Sequence, residues 1–75
     1  MPYIAIKAYH KDDAVKKRTV ERIHQVFLEE WGCPPDSVSI SVEEYTPEEF
    51  REKVVHEEIE PKQDAMLILF GKKRY

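Results

Sequence analysis

Two short runs of strict alternation, separated by about twenty residues with helical periodicity, limit this chain more than anything else in it. In the first, Pro2 to Tyr9, Ile4, Ile6 and Ala8 point one way while Tyr3, Ala5, Lys7 and Tyr9 point the other. In the second, Ser37 to Glu44, Val38, Ile40 and Val42 alternate with Ser39, Ser41 and Glu43. Between them, Asp12 and Asp13 offer a capping side chain and negative charge at the start of a helix. Val20, Ile23, Phe27 and Trp31 form its apolar stripe, widened by Val15 and Val26. Gly32 stops it, and Cys33-Pro34-Pro35-Asp36 cannot continue it. Strand, long helix, strand is a crossover unit, which implies parallel pairing with the helix on the Ile4, Ile6, Val38, Ile40, Val42 face. The opposite face carries Tyr3, Ala5, Ser39 and Ser41. Parallel sheets are seldom left open to water, so a second subunit is expected to cover it.

The remainder reads less sharply. Thr46-Pro47-Glu48-Glu49 is a capping box with proline in the first helical position, so a second helix starts at Pro47 and runs to about Ile59. Phe50 and Val54, with Glu58, lie along one line of it. Pro61 interrupts the chain, and a helical turn is expected after it. The apolar run Ala65 to Phe70 suits a short strand around Leu67 to Phe70, with Gly71 ending it before the basic Lys72-Lys73-Arg74-Tyr75 tail.

At 75 residues the chain is expected to be a single domain, 1–75, near the size at which one core barely offsets chain entropy. Its one cysteine allows no internal disulfide, and no Cys/His cluster has metal-ligand spacing, which leaves oligomerisation as the source of further burial. The net charge of −3, with 36% charged residues of both signs interspersed, describes a soluble surface and argues against nucleic acid as a partner. With no leader and no apolar run of spanning length, no membrane role and a cytoplasmic location are expected.

The start of the chain carries the chemistry. Proline after the initiator methionine is small enough for aminopeptidase processing, which would expose Pro2 as a secondary amine at the end of a rigid strand. An α-amino group has a reference pKa of about 8, so desolvation or a cationic neighbour can leave it unprotonated near neutral pH. Proline in this position also occurs in proteins that make no use of it. His24 and His56 read as solvated or capping residues, and His56 lacks the i, i+4 partner that would make a helical metal site. Cys33 has no basic partner placed by sequence and reads as a loop residue. Lys16-Lys17-Arg18 reads as a solvated helix face.

Taken together, Met1-Pro2 at the head of a strand, the long first helix, Pro34-Pro35-Asp36-Ser37-Val38 and the second strand ending in Glu43-Glu44 resemble the 4-oxalocrotonate tautomerase family. The length, Thr46-Pro47-Glu48-Glu49-Phe50 and Glu58-Ile59-Glu60-Pro61 are more similar to its slightly longer bacterial phenylpyruvate tautomerase branch. The resemblance implies an α/β (α+β) β-α-β fold with a two-stranded parallel sheet, a long helix, a second short helix and a short C-terminal strand or turn. It implies a cofactor-free keto–enol isomerase whose amino-terminal proline, Pro2, is the general base. It also implies a homo-oligomer, a dimer ahead of a hexamer. The family's aromatic pocket residue falls on Phe50, supplied across a subunit interface. Where shorter members carry a substrate-binding arginine after the first strand, this chain has His10-Lys11; where they carry a second in strand two, it has Ser39. His10, Lys11, Ser39 and Phe50 are therefore the expected substrate-binding residues. A monocarboxylate with an apolar or aromatic body suits them better than a dicarboxylate. The alternatives are a dehalogenase or hydratase of the same superfamily, with Glu43 or Glu44 activating water, and a non-catalytic interaction domain.

Overall fold

The structure, a computed structural model, describes residues 1–75, which divide into two compact units, Met1–Tyr45 and Thr46–Tyr75. In the first unit, β1 (Tyr3–Tyr9), the helix α1 (Asp13–Trp31) and β2 (Ser39–Tyr45) form the β-α-β crossover that the alternation predicts. The two strands pair in parallel, with Tyr3 opposite Ser39, Ile6 opposite Val42 and Ala8 opposite Glu44. The period of two then sorts the side chains. Ile4, Ile6 and Ala8 on β1 and Ile40 and Val42 on β2 are half-buried on one face, while Tyr3, Ala5 and Tyr9 are exposed on the other.

Helix α1 begins where sequence places it. Asp12 is extended (φ −70°, ψ 153°), and its carboxylate accepts the Ala14 N–H at 3.1 Å. It ends at Gly32, whose φ of 65° is the left-handed turn that a side chain would oppose. Val20, Ile23 and Phe27 are half-buried as the periodicity requires. Val26 (52% exposed) and Trp31 (66%) are not, a correction to the predicted stripe. Val26 sits on the flank of the stripe, and for Trp31 the reason is length. A seven-residue strand rises about 23 Å, whereas nineteen helical residues rise about 28 Å, so the last helical turn overruns the sheet. Trp31 packs edge-on against Phe27 instead, with ring centroids 4.5 Å apart.

A 3-10 turn, Pro35–Ser37, leads into β2, and both the N–H and the hydroxyl of Ser37 donate to the Pro34 carbonyl. His24 fastens this turn to α1: its Nε2 lies 3.0 Å from the Pro35 carbonyl, which can only accept, so the imidazole donates.

In the second unit, the capping box at Thr46 forms in both directions. Thr46 Oγ1 accepts the Glu49 N–H, and the Glu49 carboxylate accepts the Thr46 N–H. The helix α2 (Pro47–Glu49) widens at once into π-type turns over Phe50–Ile59 and tightens into 3-10 turns over Glu60–Ala65. The Glu60 N–H, for example, reaches back five residues to the Val55 carbonyl. The periodicity of sequence marks a helix here but not its pitch, since a wider helix keeps the Phe50, Val54, Glu58 line on one side. Val54, at 5% exposure, is the one buried residue of the chain. The apolar run that follows supplies β3 (Ile68–Leu69), and the basic tail folds back as β4 (Lys72–Lys73). The sequence pattern ends the apolar run at Gly71 and gives no sign of this strand in the tail. Phe70 (φ 48°) and Gly71 (φ 83°) make the tight turn, both left-handed as a two-residue hairpin loop needs.

Candidate functional site

Pro2 stands at the head of β1, half-buried, with the fully exposed Met1 before it. Its carbonyl accepts the Ser39 N–H at 3.1 Å, which carries the parallel ladder one residue beyond the strand and fixes the proline against β2. Of the expected substrate-binding residues, Ser39 is therefore brought beside Pro2. On the open face, the Tyr3 hydroxyl lies 3.1 Å from Ser41 Oγ, a pair of hydroxyls that can donate and accept. Sequence places Tyr3 on this face but gives no sign of the diagonal contact, which depends on register.

His10 and Lys11 are set apart from Pro2. They follow the other end of the seven-residue strand β1, where the Lys11 main chain meets Glu44, the register partner of Ala8. Phe50 lies in the second unit, half-buried, its N–H donating to the Thr46 carbonyl at 2.8 Å.

The His10–Lys11 end has its own organisation, and its centre is Glu44. Oε2 of Glu44 accepts the main-chain N–H of Lys11 at 2.8 Å and lies 3.1 Å from His10 Nδ1; Oε1 accepts Lys16 Nζ at 3.1 Å. Lys16 also pairs with Asp13 at 3.4 Å. The Lys11 N–H foremost, then the Lys16 ammonium, hold the Glu44 carboxyl below its ordinary range. Reciprocally, Glu44 foremost and Asp13 after it raise the Lys16 ammonium above its own. A signal for this cluster exists in sequence. Glu44 is in phase with Val38, Ile40 and Val42, so it is a charged residue on the helix-facing side, where it needs a partner.

On that same side an apolar recess of about 160 Å³ lies between sheet and helix, lined by Ile6, Ala8, Val20 and Val42 with Lys11 and Lys16 as its cationic members. Apolar walls with an ammonium group suit an anion that has an apolar body.

Glu43 is also engaged: its carboxylate accepts the Tyr45 hydroxyl at 2.8 Å and stands 4.0 Å from Lys7 Nζ. His56 Nδ1 lies 3.1 Å from the Glu60 carboxylate. Cys33 is a half-buried free thiol.

No protein-family model matches the chain. It is similar to the Tautomerase PptA of Cronobacter sakazakii (strain ATCC BAA-894), with 29% identity over 68 residues that cover 88% of this chain and 90% of that protein. No helix of the chain is long and apolar enough to cross a membrane.

Proposed function

We propose that this chain is a cofactor-free tautomerase that interconverts the enol and keto forms of 2-keto acids, with Pro2 as its acid–base group once Met1 is removed. The observation that carries the reading is the placement of Pro2, half-buried at the head of β1 and tied to β2 through Ser39, in a chain similar over most of its length to a tautomerase. The residues from 1 to 75 act as one domain in this reading.

Neutral Pro2 accepts the proton of the enol hydroxyl, or of the acidic carbon, and its ammonium form returns a proton to another atom of the same conjugated system. One nitrogen thus serves first as base and then as acid. A retained methionine would make that nitrogen an amide with no basicity, so processing is part of the mechanism. The strand ladder holds the ring in one direction, which limits the reorganisation needed at the moment of transfer.

Lys11, with His10 beside it, holds the substrate carboxylate or the negative charge developing on the enolate oxygen. Pro2 and the Lys11 main chain stand at opposite ends of β1 within one copy, which favours a second copy supplying the cation, so in this reading the active form is a homo-oligomer, a dimer ahead of a hexamer. Ser39 holds the Pro2 carbonyl through its main-chain N–H. Phe50, supplied across the subunit interface, excludes water from the amine, and desolvation of a cationic acid favours its neutral form. With one lysine in place of two arginines, the substrate is a monocarboxylate with an apolar or aromatic body, as in the phenylpyruvate tautomerase branch, handled in the cytoplasm.

A hydratase or dehalogenase would need a carboxylate free to activate water. Glu43 is taken up by Tyr45 and Lys7, and Glu44 by three donors that also lower its basicity, which favours tautomerisation. A non-catalytic interaction domain would be indifferent to its amino terminus. Incubation of processed protein with phenylpyruvate enol, with a 3-halo-acrylate, and with a substrate-like electrophile separates the three. Enol loss together with labelling of Pro2 supports the tautomerase. Halide release without enol loss supports the hydrolytic reading, and inertness to all three supports the interaction domain.

A further inference from the structure

The turn between β1 and α1 has an anchor that the proposed chemistry leaves without a task. Ala8 and Glu44 are partners in the sheet register, which brings the Glu44 side chain to the place where the chain leaves β1. Its two oxygens divide the work: Oε2 meets the Lys11 N–H and His10 Nδ1, and Oε1 meets Lys16 Nζ on the first turn of α1. His10 and Lys11 are exposed and belong to neither strand nor helix, and Asp12 beyond them is already committed to capping Ala14. The Lys11 N–H bond to Glu44 is thus the contact that fixes the main chain from which the lysine projects. A long, flexible side chain binds an anion with less entropic loss when its base is held still.

We infer that Glu44 is a positioning residue, holding the Lys11 main chain so that the Lys11 ammonium is presented to the carboxylate of the substrate. This rests on the assignment of Lys11 as the carboxylate anchor. Glu44 itself touches no substrate in this scheme, and its contribution lies in distance: a carboxylate one bond too short would leave the 2.8 Å contact unmade, whatever its charge.

Two variants separate position from charge and leave no large hole. E44D keeps the charge and loses the reach; E44Q keeps the reach and an oxygen to accept the Lys11 N–H but loses the charge. Each is checked for folding by its amide correlation spectrum and titrated with phenylacetate, an unreactive aryl carboxylate, so that the result does not depend on turnover. E44D is expected to speed exchange of the Lys11 amide and weaken phenylacetate roughly tenfold, the scale of losing a hydrogen bond to a charged group. Its KM for an arylpyruvate enol rises to match while kcat stays within about twofold, because Pro2 is unaltered. E44Q stays within about threefold in affinity and keeps the Lys11 amide protected. Wild-type affinity in E44D, or a greater loss in E44Q than in E44D, overturns the inference. K11M identifies which premise has failed: wild-type phenylacetate affinity there would remove Lys11 as the anchor and this inference with it, whereas weakened binding in K11M beside an unaffected E44D would refute the role of Glu44 alone.

Discussion

The main-chain N–H of Ser39 donates to the carbonyl of Pro2 across 3.1 Å, one step beyond the last residue pair of the β1–β2 ladder. That bond joins the proposed base to the strand whose residues 43–45 lie at the opposite end of the sheet, and it engages the carbonyl of the proline and not its nitrogen.

Replacement of Pro2 by Ala in processed protein keeps an amine but not the ring. The expected loss in enol-to-keto rate is on the order of 10²–10⁴-fold, the usual contribution of a positioned general base, with the amide spectrum little changed. Intact mass establishes removal of Met1 in both proteins before they are compared, and wild-type turnover in the variant would refute the assignment.

A charge on the open face should disperse the oligomer proposed above. Ala5 is exposed beside Tyr3 and opposite Ser41, so A5E adds no clash within one copy but puts like charges together wherever copies meet on this face. Sedimentation velocity is expected to show a smaller species for A5E than for the wild type. An unchanged sedimentation coefficient would place the contact elsewhere.

The Glu44 cluster gives a pH dependence whose sign is fixed. A carboxyl held below its ordinary range in the folded chain contributes stability that is present above its unfolded pKa of about 4.5 and is lost as pH falls through the folded value. Lys16, raised in the folded chain, contributes below about 10.5 and loses that contribution as pH rises through its higher folded value. Denaturant midpoints of E44Q and wild type, measured from pH 7 downward, should therefore converge as the solution becomes more acidic. A gap that stays constant through the acid limb would mean that the carboxylate contributes nothing by its ionisation.

The capping box makes a separable prediction. T46A removes the hydroxyl that accepts the Glu49 N–H and should cost about 1 kcal/mol, seen first as faster amide exchange in the turns after Pro47. Glu49, whose carboxyl is held low by the Thr46 N–H first and the hydroxyl second, should titrate nearer its ordinary range in that variant.

What sequence reveals here, and what it leaves hidden, divides along local and non-local lines. The alternation around Ile6 and Ile40, the Asp12 cap and the Gly32 stop are local, and each appears in the structure where the pattern places it. The exposure of Trp31 depends on how far a helix overruns a sheet, which periodicity does not encode. The π-type pitch after Glu49 leaves the i+4 line of Phe50 and Val54 intact and so leaves no trace in it. The hairpin at Phe70–Gly71 places a phenylalanine at positive φ, a position for which turn chemistry favours glycine or asparagine. Among the proposed site residues, Pro2 is legible because the chemistry proposed for it depends on where it stands in the chain. Ser39 is brought to it by register. The service that Glu44 gives Lys11 could be read only as a charged residue out of place among valines and isoleucines.

Val54 alone, out of 75 residues, is sealed from water. A chain with so little interior has small resistance to heat or denaturant by itself, and the association proposed for it would supply much of its folding free energy. Its melting temperature should consequently climb as protein is concentrated and drop on dilution, so that an assay at nanomolar enzyme would sample a different population from one at micromolar.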